Sequence, residues 1–472
     1  MNYFVIHCRD AHFASLRRVT MSGGRITVCV APLMETRYTK KAERKGPMNI
    51  TAIIAEYNPF HYGHLYQLTN ARRETDADYV IVALSGDFVQ RGAPAILDKY
   101  ARTKMALKAG ADLVLELPVY YAAASADYFS MGAVSLLDRL GCVNRLSFGS
   151  ELGNIADLSV IAARTAEETP AYQQALNRYL KQGMHFALAN AKAAGEQLES
   201  GGTVDVEAIL REPNNTLGIA YLKALLRRNS SIVPHTVTRQ QSGYHETKEG
   251  ALSASAVRHA VRTRESLDTL AAQMPDYALK ELKSVHQKSF PVYENDFSAL
   301  LSYRLRSLFS EAALRFDDKS SIAGCLTEFA DVSAELSSRI ASSLNDYESF
   351  EQFCLLLKTK ELTHSRISRS LLHILLDIKK SRLEDYVQDG YVPYARILGF
   401  RKESATLFSK IKANSEIPLI AKLADAQKML GNKHSYHMLL EDIHAAQIYE
   451  QVASAKFGQP FRSEYSREII RI

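Results

Sequence analysis

Along the first half of the chain, short apolar runs alternate with segments whose apolar residues recur at helical spacing. Ile50–Ala55 is apolar and β-branched and predicts a buried strand. Leu65, Leu68 and Ala71 then step by three, predicting a helix over His64–Glu74. The continuous run Tyr79–Leu84 suits a strand covered on both faces. Helices are predicted over Asp98–Ala109 and Ala126–Leu140, each ended by a glycine, and strands over Asp112–Leu117 and Arg145–Phe148. This β-α-β-α-β-α-β order predicts an α/β fold: a Rossmann-like, doubly wound parallel sheet.

Residues 155–200 read as Ala-rich helix, Asn214–Arg228 as another, Ile232–Val237 as a strand and Ala256–Arg264 as a helix. Beyond Arg264 strand signals fade, and amphipathic helical patterns run to the end. A domain boundary is expected near 265, with an all-α domain over 266–472. No internal repeat or low-complexity tract is visible.

A length of 472 residues favours two or three domains, and 46% hydrophobic with 23% charged residues is ordinary for a globular protein. The charge is unevenly placed. Residues 1–47 hold nine Lys or Arg against three Asp or Glu, so the whole formal excess of +6 lies there and the rest is balanced. Nucleic-acid binding therefore needs a local patch and not bulk charge. Residues 1–47 lack strong periodicity and read as a basic extension outside the fold, with Met48 a candidate start. Such a basic, acid-poor leader is also the composition of an organelle-targeting segment. The five cysteines are scattered with no metal-ligand spacing, which suits a reducing compartment. No apolar run approaches the ~20 residues that cross a bilayer. The cytoplasm is the expected location.

The chemistry concentrates after the first strand, in His61-Tyr62-Gly63-His64. Strand carboxyl ends are where open α/β sheets bind ligands. Opening a nucleoside triphosphate at its α-phosphate puts negative charge on non-bridging oxygens and on departing pyrophosphate, and preplaced donors stabilise that charge. His64 falls in the first helical turn, where the dipole and free backbone N–H groups favour a phosphate. Gly63 permits close approach, and His61 can face the same phosphate. Later, Ser253-Ala254-Ser255-Ala256-Val257-Arg258 opens a helix with hydroxyls that cap it or bind phosphate, Arg258 lying one turn in. Taken alone, that segment reads as an ordinary N-cap with a solvated arginine. Asp87 and Arg91 follow the second strand and belong at the same sheet edge. They are substrate or tRNA candidates, with a turn residue and a solvated loop charge as equal alternatives. Lys99, Arg102 and Lys104 read as no more than a charged helix face.

Projected as one helix, Glu361–Arg382 puts Ile367, Leu371, Ile374, Leu375 and Ile378 on one side and Arg366, Arg369, His373 and Lys380 on the other. Lys358 and Lys360 add charge at one end, Lys379 and Arg382 at the other. Such a face can track RNA phosphates. Tyr391, Tyr394, Arg396, Phe400, Arg401 and Lys402 follow, a mix able to stack unpaired bases. A solvated helix with scattered loop aromatics is the plainer reading of these residues alone. The chain contains no phosphate loop, Gly-x-Gly-x-x-Gly, His-Glu-x-x-His or Cys-x-x-Cys motif. No protein-held metal is indicated, though Mg²⁺ can arrive with ATP.

The His-x-Gly-His signature with a later Ser-x-Ser-x-x-Arg resembles the HxGH nucleotidyltransferase superfamily. The longer strings Ala55 to Leu65, Ser85 to Gly92, Ala101 to Leu107, Asp112 to Pro118 and Phe148-Gly149-Ser150-Glu151 resemble, more narrowly, the bacterial tRNA(Met) cytidine acetate ligases. Asn58 stands where the wider superfamily often has Asp, which fits the narrower family. The resemblance is strong over Met48–Arg264, weaker over the helical remainder, and excludes residues 1–47. It implies an ATP-binding domain over 48–265 and a tRNA-binding domain over 266–472. It also implies a two-step ligase: acetate attacks ATP to give acetyl-adenylate, and the wobble cytidine of elongator tRNA(Met) takes the acetyl group. His61 and His64 would be catalytic. The ATP site would be lined by Ile54, Ala55, Glu56, Tyr57, Asn58, Pro59, Phe60, Tyr62, Leu65, Tyr66 and Gln67 beside those histidines and Gly63. Gly149, Asn214, Asn215 and Arg239 would add nucleotide contacts. No obligatory protein partner is evident.

Two other functions compete: a small-molecule adenylyltransferase, and a non-catalytic RNA-binding protein that has kept a nucleotide fold. Roughly two hundred helical residues with a basic face count against the first, and the intact histidine pair against the second.

Overall fold

The computed structural model describes residues 17–22, 25–30, 48–166, 169–184, 186–198, 206–239, 254–263, 266–431 and 433–472. Two units are resolved by packing, Met1–Met48 and Asn49–Ile472. Within the first, Arg17–Ser22 and Arg25–Val30 pair antiparallel, Val19 opposite Val28. The β-branched Ile26, Thr27, Val28 and Val30 favour a strand.

In the second unit the sheet begins at its centre. β1 (Ile50–Ala55) is flanked by β2 (Tyr79–Ser85) and β4 (Arg145–Ser150), with β3 (Leu113–Leu117) outside β2 and β5 (Val233–Thr238) outside β4. All these neighbours are parallel, giving the doubly wound order 3-2-1-4-5. β1, β2 and β3 are buried almost throughout, which is why apolar residues dominate them, Glu116 of β3 being the one charged exception. The chain leaves one side of the sheet after β3 and returns on the other, so the crevice at the carboxyl end lies beside β1.

The helices that place the site are α1 (Tyr62–Glu74), α2 (Lys99–Lys108), α3 (Ala126–Asp138), α4 (Pro213–Arg227) and α5 (Ala254–Arg262), within two residues of expectation at each end.

Beyond residue 265 the chain is mainly helical but not all-α. β6 (Ala395–Phe400) joins the sheet antiparallel to β3, and β7 (Leu419–Ile420) and β8 (Ile470–Arg471) pair with β6. No break between units falls near 265. A six-residue buried strand, Ala-Arg-Ile-Leu-Gly-Phe, has no alternation to mark it among helices, and only the open edge of β3 makes it one. Arg396 on β6 pairs with Glu116 on β3 at 2.8 Å and with Glu464 at 2.6 Å. Those carboxylates also hold the fully buried Lys99. Tyr394 and Arg396 are therefore core, and Phe400 packs edge-on to Phe408 at 5.0 Å. This aromatic and basic cluster is not a base-stacking surface.

The expected single helix over Glu361–Arg382 is two: α6 (His364–Leu375) and α7 (Lys380–Gln388). Asp377 lies between them at φ 58°, a left-handed conformation that a helix cannot pass through. Lys380 consequently does not share a face with Arg366. His373 is buried, its two ring nitrogens each 2.9 Å from a carbonyl, of Ala330 and of Ala123. Among the described residues no helix is long and apolar enough to cross a membrane.

Candidate active site

The turn after β1 is held from both sides. Tyr57 adopts φ 46°, costly for a bulky residue. The carbonyl before it, Glu56 O, accepts from Arg102 Nη1 at 2.8 Å, and the carbonyl after it, Asn58 O, accepts from Arg258 Nη1 at 2.8 Å. The Asn58 side chain faces inward, its Oδ1 accepting the Ile96 N–H at 2.8 Å. Asn58 Oδ1 thus supports the turn, while its Nδ2 has no partner among the described residues.

His61 caps α1. Its Nδ1 accepts the Gly63 N–H at 3.0 Å, and its own N–H donates to His64 Nδ1 at 3.3 Å. The two rings stack with centroids 3.8 Å apart and planes 28° from parallel. Tyr57 and Phe60 pack against His64 at 4.9 and 5.6 Å, fixing its ring. An Nδ1 that accepts carries no proton, so each neutral ring bears its proton on Nε2. Neither Nε2 donates to a described residue, and neither is sealed from solvent.

Burial pushes His61 down to about 4, helped by the Arg239 and Arg258 charges. His64 is lowered well below its ordinary value, first by burial, then by His61 and Arg239. Both rings are therefore neutral donors near pH 7.

The first-turn backbone does not behave as expected. Tyr62 N–H donates to Gln273 O, Gly63 N–H to the His61 ring, and the N–H groups of His64 and Leu65 to His61 O. These donors are committed, because capping by His61 and docking of Gln273 satisfy them within the fold. What is left for a phosphate is the Nε2–H pair with the surrounding arginines.

Arg239 follows β5 and is exposed, with no side-chain partner among the described residues. A Cβ on Gly149 would stand 3.3 Å from Arg239 Cγ, so the bare glycine gives room to the arginine stem. Arg258 is moored by Asn58 O and, through Nη2, by Ser255 Oγ at 3.0 Å. Ser253 lies outside the described residues. Asn215 accepts the Leu152 N–H at 3.0 Å and donates to Ile209 O at 3.2 Å, while Asn214 bonds Glu151. Glu151 also accepts the Asn215 N–H at 2.9 Å. Both amides thus fasten the start of α4 to the end of β4. Asp87 is likewise turned inward, accepting the Lys99 N–H at 2.8 Å, and burial raises its carboxyl to about 6. Arg91 is exposed and its charge acts on Glu56 and Arg258, which puts it at the mouth of the site.

A HIGH nucleotidyl transferase family model matches residues 48–463. The tRNA(Met) cytidine acetate ligase of a Thermoanaerobacter species is 39% identical over 405 residues, 85% of this chain and 95% of the relative. That of Acetivibrio thermocellus is 37% identical over 424 residues, 88% and 98% of the two chains. This chain belongs to the tRNA(Met) cytidine acetate ligase family. Thermotoga maritima TmcAL bound with alpha-thio ATP superposes with a TM-score of 0.80 at 28% identity, covering 90% of this chain and 100% of that one.

In this ligase-family chain the residues expected to meet tRNA divide. Arg369 is only 13% exposed and pairs through Nε with Asp331 at 2.8 Å. Lys358, Lys360 and Lys380 are exposed and Arg366 is half-buried with no ion pair to a described residue. Lys379 and Arg382 are paired with Glu328 and Glu441. The start of α6 abuts the loop that carries Arg91, since Ser368 Oγ donates to Gly92 O at 2.7 Å.

Arg102, expected on a charged helix face, is 0% exposed. It donates to Leu97 O, Glu56 O, Ser85 O and Gly86 O, joining the carboxyl ends of β1 and β2. The signal was its place in a stripe with Met105 and Ala106, on a helix with almost no exposed side.

Proposed function

We propose that this protein activates acetate with ATP and transfers the acetyl group to the N4 amine of the wobble cytidine of elongator tRNA(Met). The observation that carries this reading is the stacked His61–His64 pair, with both Nε2–H groups unclaimed by the described protein. As acetate attacks the α-phosphorus and pyrophosphate leaves, the two Nε2–H donors stabilise the charge on the phosphate oxygens. Being neutral, they need no counter-ion before the nucleotide arrives. Arg239 and Arg258 add positive charge around them. The turn from Ile54 to Gln67 lines the ATP site by analogy with the family, and the fit rests on this donor set. Mg²⁺ would arrive with the ATP phosphates and supply charge neutralisation there.

The names of the relatives and the alpha-thio ATP on the Thermotoga protein support the substrates. Residues 266–472 supply the tRNA surface, with Arg366, Lys358 and Lys360 leading toward Arg91. A tRNA substrate and ATP are consistent with a cytoplasmic reaction. Acetate-dependent exchange of pyrophosphate into ATP without RNA tests the first step. Exchange that instead requires a phosphorylated small molecule overturns the reading.

A further inference from the structure

Transfer to an exocyclic amine leaves a proton to be removed. When N4 of the cytidine attacks the acetyl carbonyl, the N–C bond forms, the C–O bond to the adenylate breaks and AMP departs. The nitrogen must then shed one hydrogen. Its removal by a positioned base contributes typically 10²- to 10⁴-fold. The histidines are aimed at phosphate and hold their protons on the ligand side, so they are donors and not acceptors there.

Glu56 is the first residue beyond β1. One carboxylate oxygen, Oε1, accepts the Gln90 N–H at 2.8 Å, which fixes the group against the loop carrying Arg91. The other, Oε2, has no partner among the described residues and is not sealed from solvent. The surrounding charges come from three other elements: Arg91 on the loop, Arg258 on α5 and Arg102 on α2. None forms an ion pair with it, so the carboxylate is near cations but uncommitted. Tyr221 of α4 faces it as well. Burial raises its proton affinity, outweighing the lowering effect of Gln90 N–H and the three arginines. A carboxylate with one oxygen anchored and the other open, at the carboxyl end of β1 among Arg91, Arg258 and Arg102, is placed to receive a proton.

We infer that Glu56 is the general base for the transfer step, its Oε2 taking the proton that N4 of the cytidine loses as the acetyl group is bound. This rests on the two-step reading above, and the test separates the two. Glu56→Gln keeps the Gln90 contact through its amide oxygen and removes the basic oxygen. Single-turnover acetylation of tRNA is expected to slow about 10²- to 10⁴-fold, a loss at least about tenfold beyond whatever the change costs pyrophosphate exchange, since Glu56 also borders the ATP site. Hydroxylamine, already nucleophilic as the free base, is expected to trap the activated acetyl group from the variant with no loss beyond that seen in its pyrophosphate exchange. Glu56→Asp is expected to recover part of the transfer rate. Equal losses in exchange, trapping and transfer would make Glu56 structural and overturn the inference, as would unimpaired transfer. Absence of acetate-dependent exchange in the unmodified protein would instead defeat the two-step reading itself.

Discussion

Ser368 donates its hydroxyl to the Gly92 carbonyl at 2.7 Å, across 276 residues of sequence. Gly92 has φ 77°, and a Cβ there would stand 2.3 Å from the Arg369 nitrogen. The helix that carries Arg366 therefore rests directly on the loop that carries Arg91. Gly92→Ala combines a strained backbone with a collision against backbone atoms, which cannot move as a side-chain tip can. Its expected cost is about 1–3 kcal/mol of stability by urea denaturation, with tRNA affinity falling more than ATP affinity.

Arg366 and Arg369 lie on the same helix in different surroundings, the second paired with Asp331 and the first without an ion pair to a described residue. Arg366→Ala is expected to weaken tRNA binding and to lower the magnitude of its salt slope by about one. Arg369→Ala leaves Asp331 without its 2.8 Å partner. It should show first as a lower melting temperature, with the salt slope little changed. Filter binding over a range of salt concentrations, alongside thermal melts, distinguishes them.

Arg102→Met would leave four carbonyls, of Glu56, Ser85, Gly86 and Leu97, without their shared donor. Removing such a buried cation is expected to cost about 3–5 kcal/mol. Lysine has one ammonium in place of a planar fork, so Arg102→Lys should recover only part of the loss. Chemical denaturation of the three proteins measures both.

The histidines make the fold sensitive to acid. In the unfolded chain His61 titrates near its ordinary 6.5, and in the folded protein burial holds it at about 4. Below 6.5 the unfolded state binds the proton that the folded state refuses, so stability is lost as pH falls from about 6.5 toward 4. His64 is displaced in the same direction and adds to the slope. His61→Asn is expected to flatten the stability profile across this window. It should also reduce pyrophosphate exchange at least 10²-fold at pH 7.5, where the fold is not in question.

The sheet could be read from the sequence because its central strands are covered on both faces. Ile50–Ala55, Tyr79–Leu84 and Leu113–Leu117 are accordingly dominated by apolar residues, with Thr51 and Glu116 the polar exceptions, and His61 and His64 follow the first of them. Local chemistry also fixed the helix starts and the balance of charge. Three-dimensional packing decided what each polar residue does. Asn58, Asp87 and Asn215 look like ligand-facing groups in the string, yet each is spent on a backbone N–H contributed from elsewhere in the chain. Arg102 and Lys99 look like surface charges and are wholly buried. Ala395–Phe400 became a strand only because β3 presented an open edge. Hydrophobic period is a property of neighbouring residues and survives in one dimension. A hydrogen-bond partner tens or hundreds of residues away does not, and such partners determined which side chains remained free for chemistry.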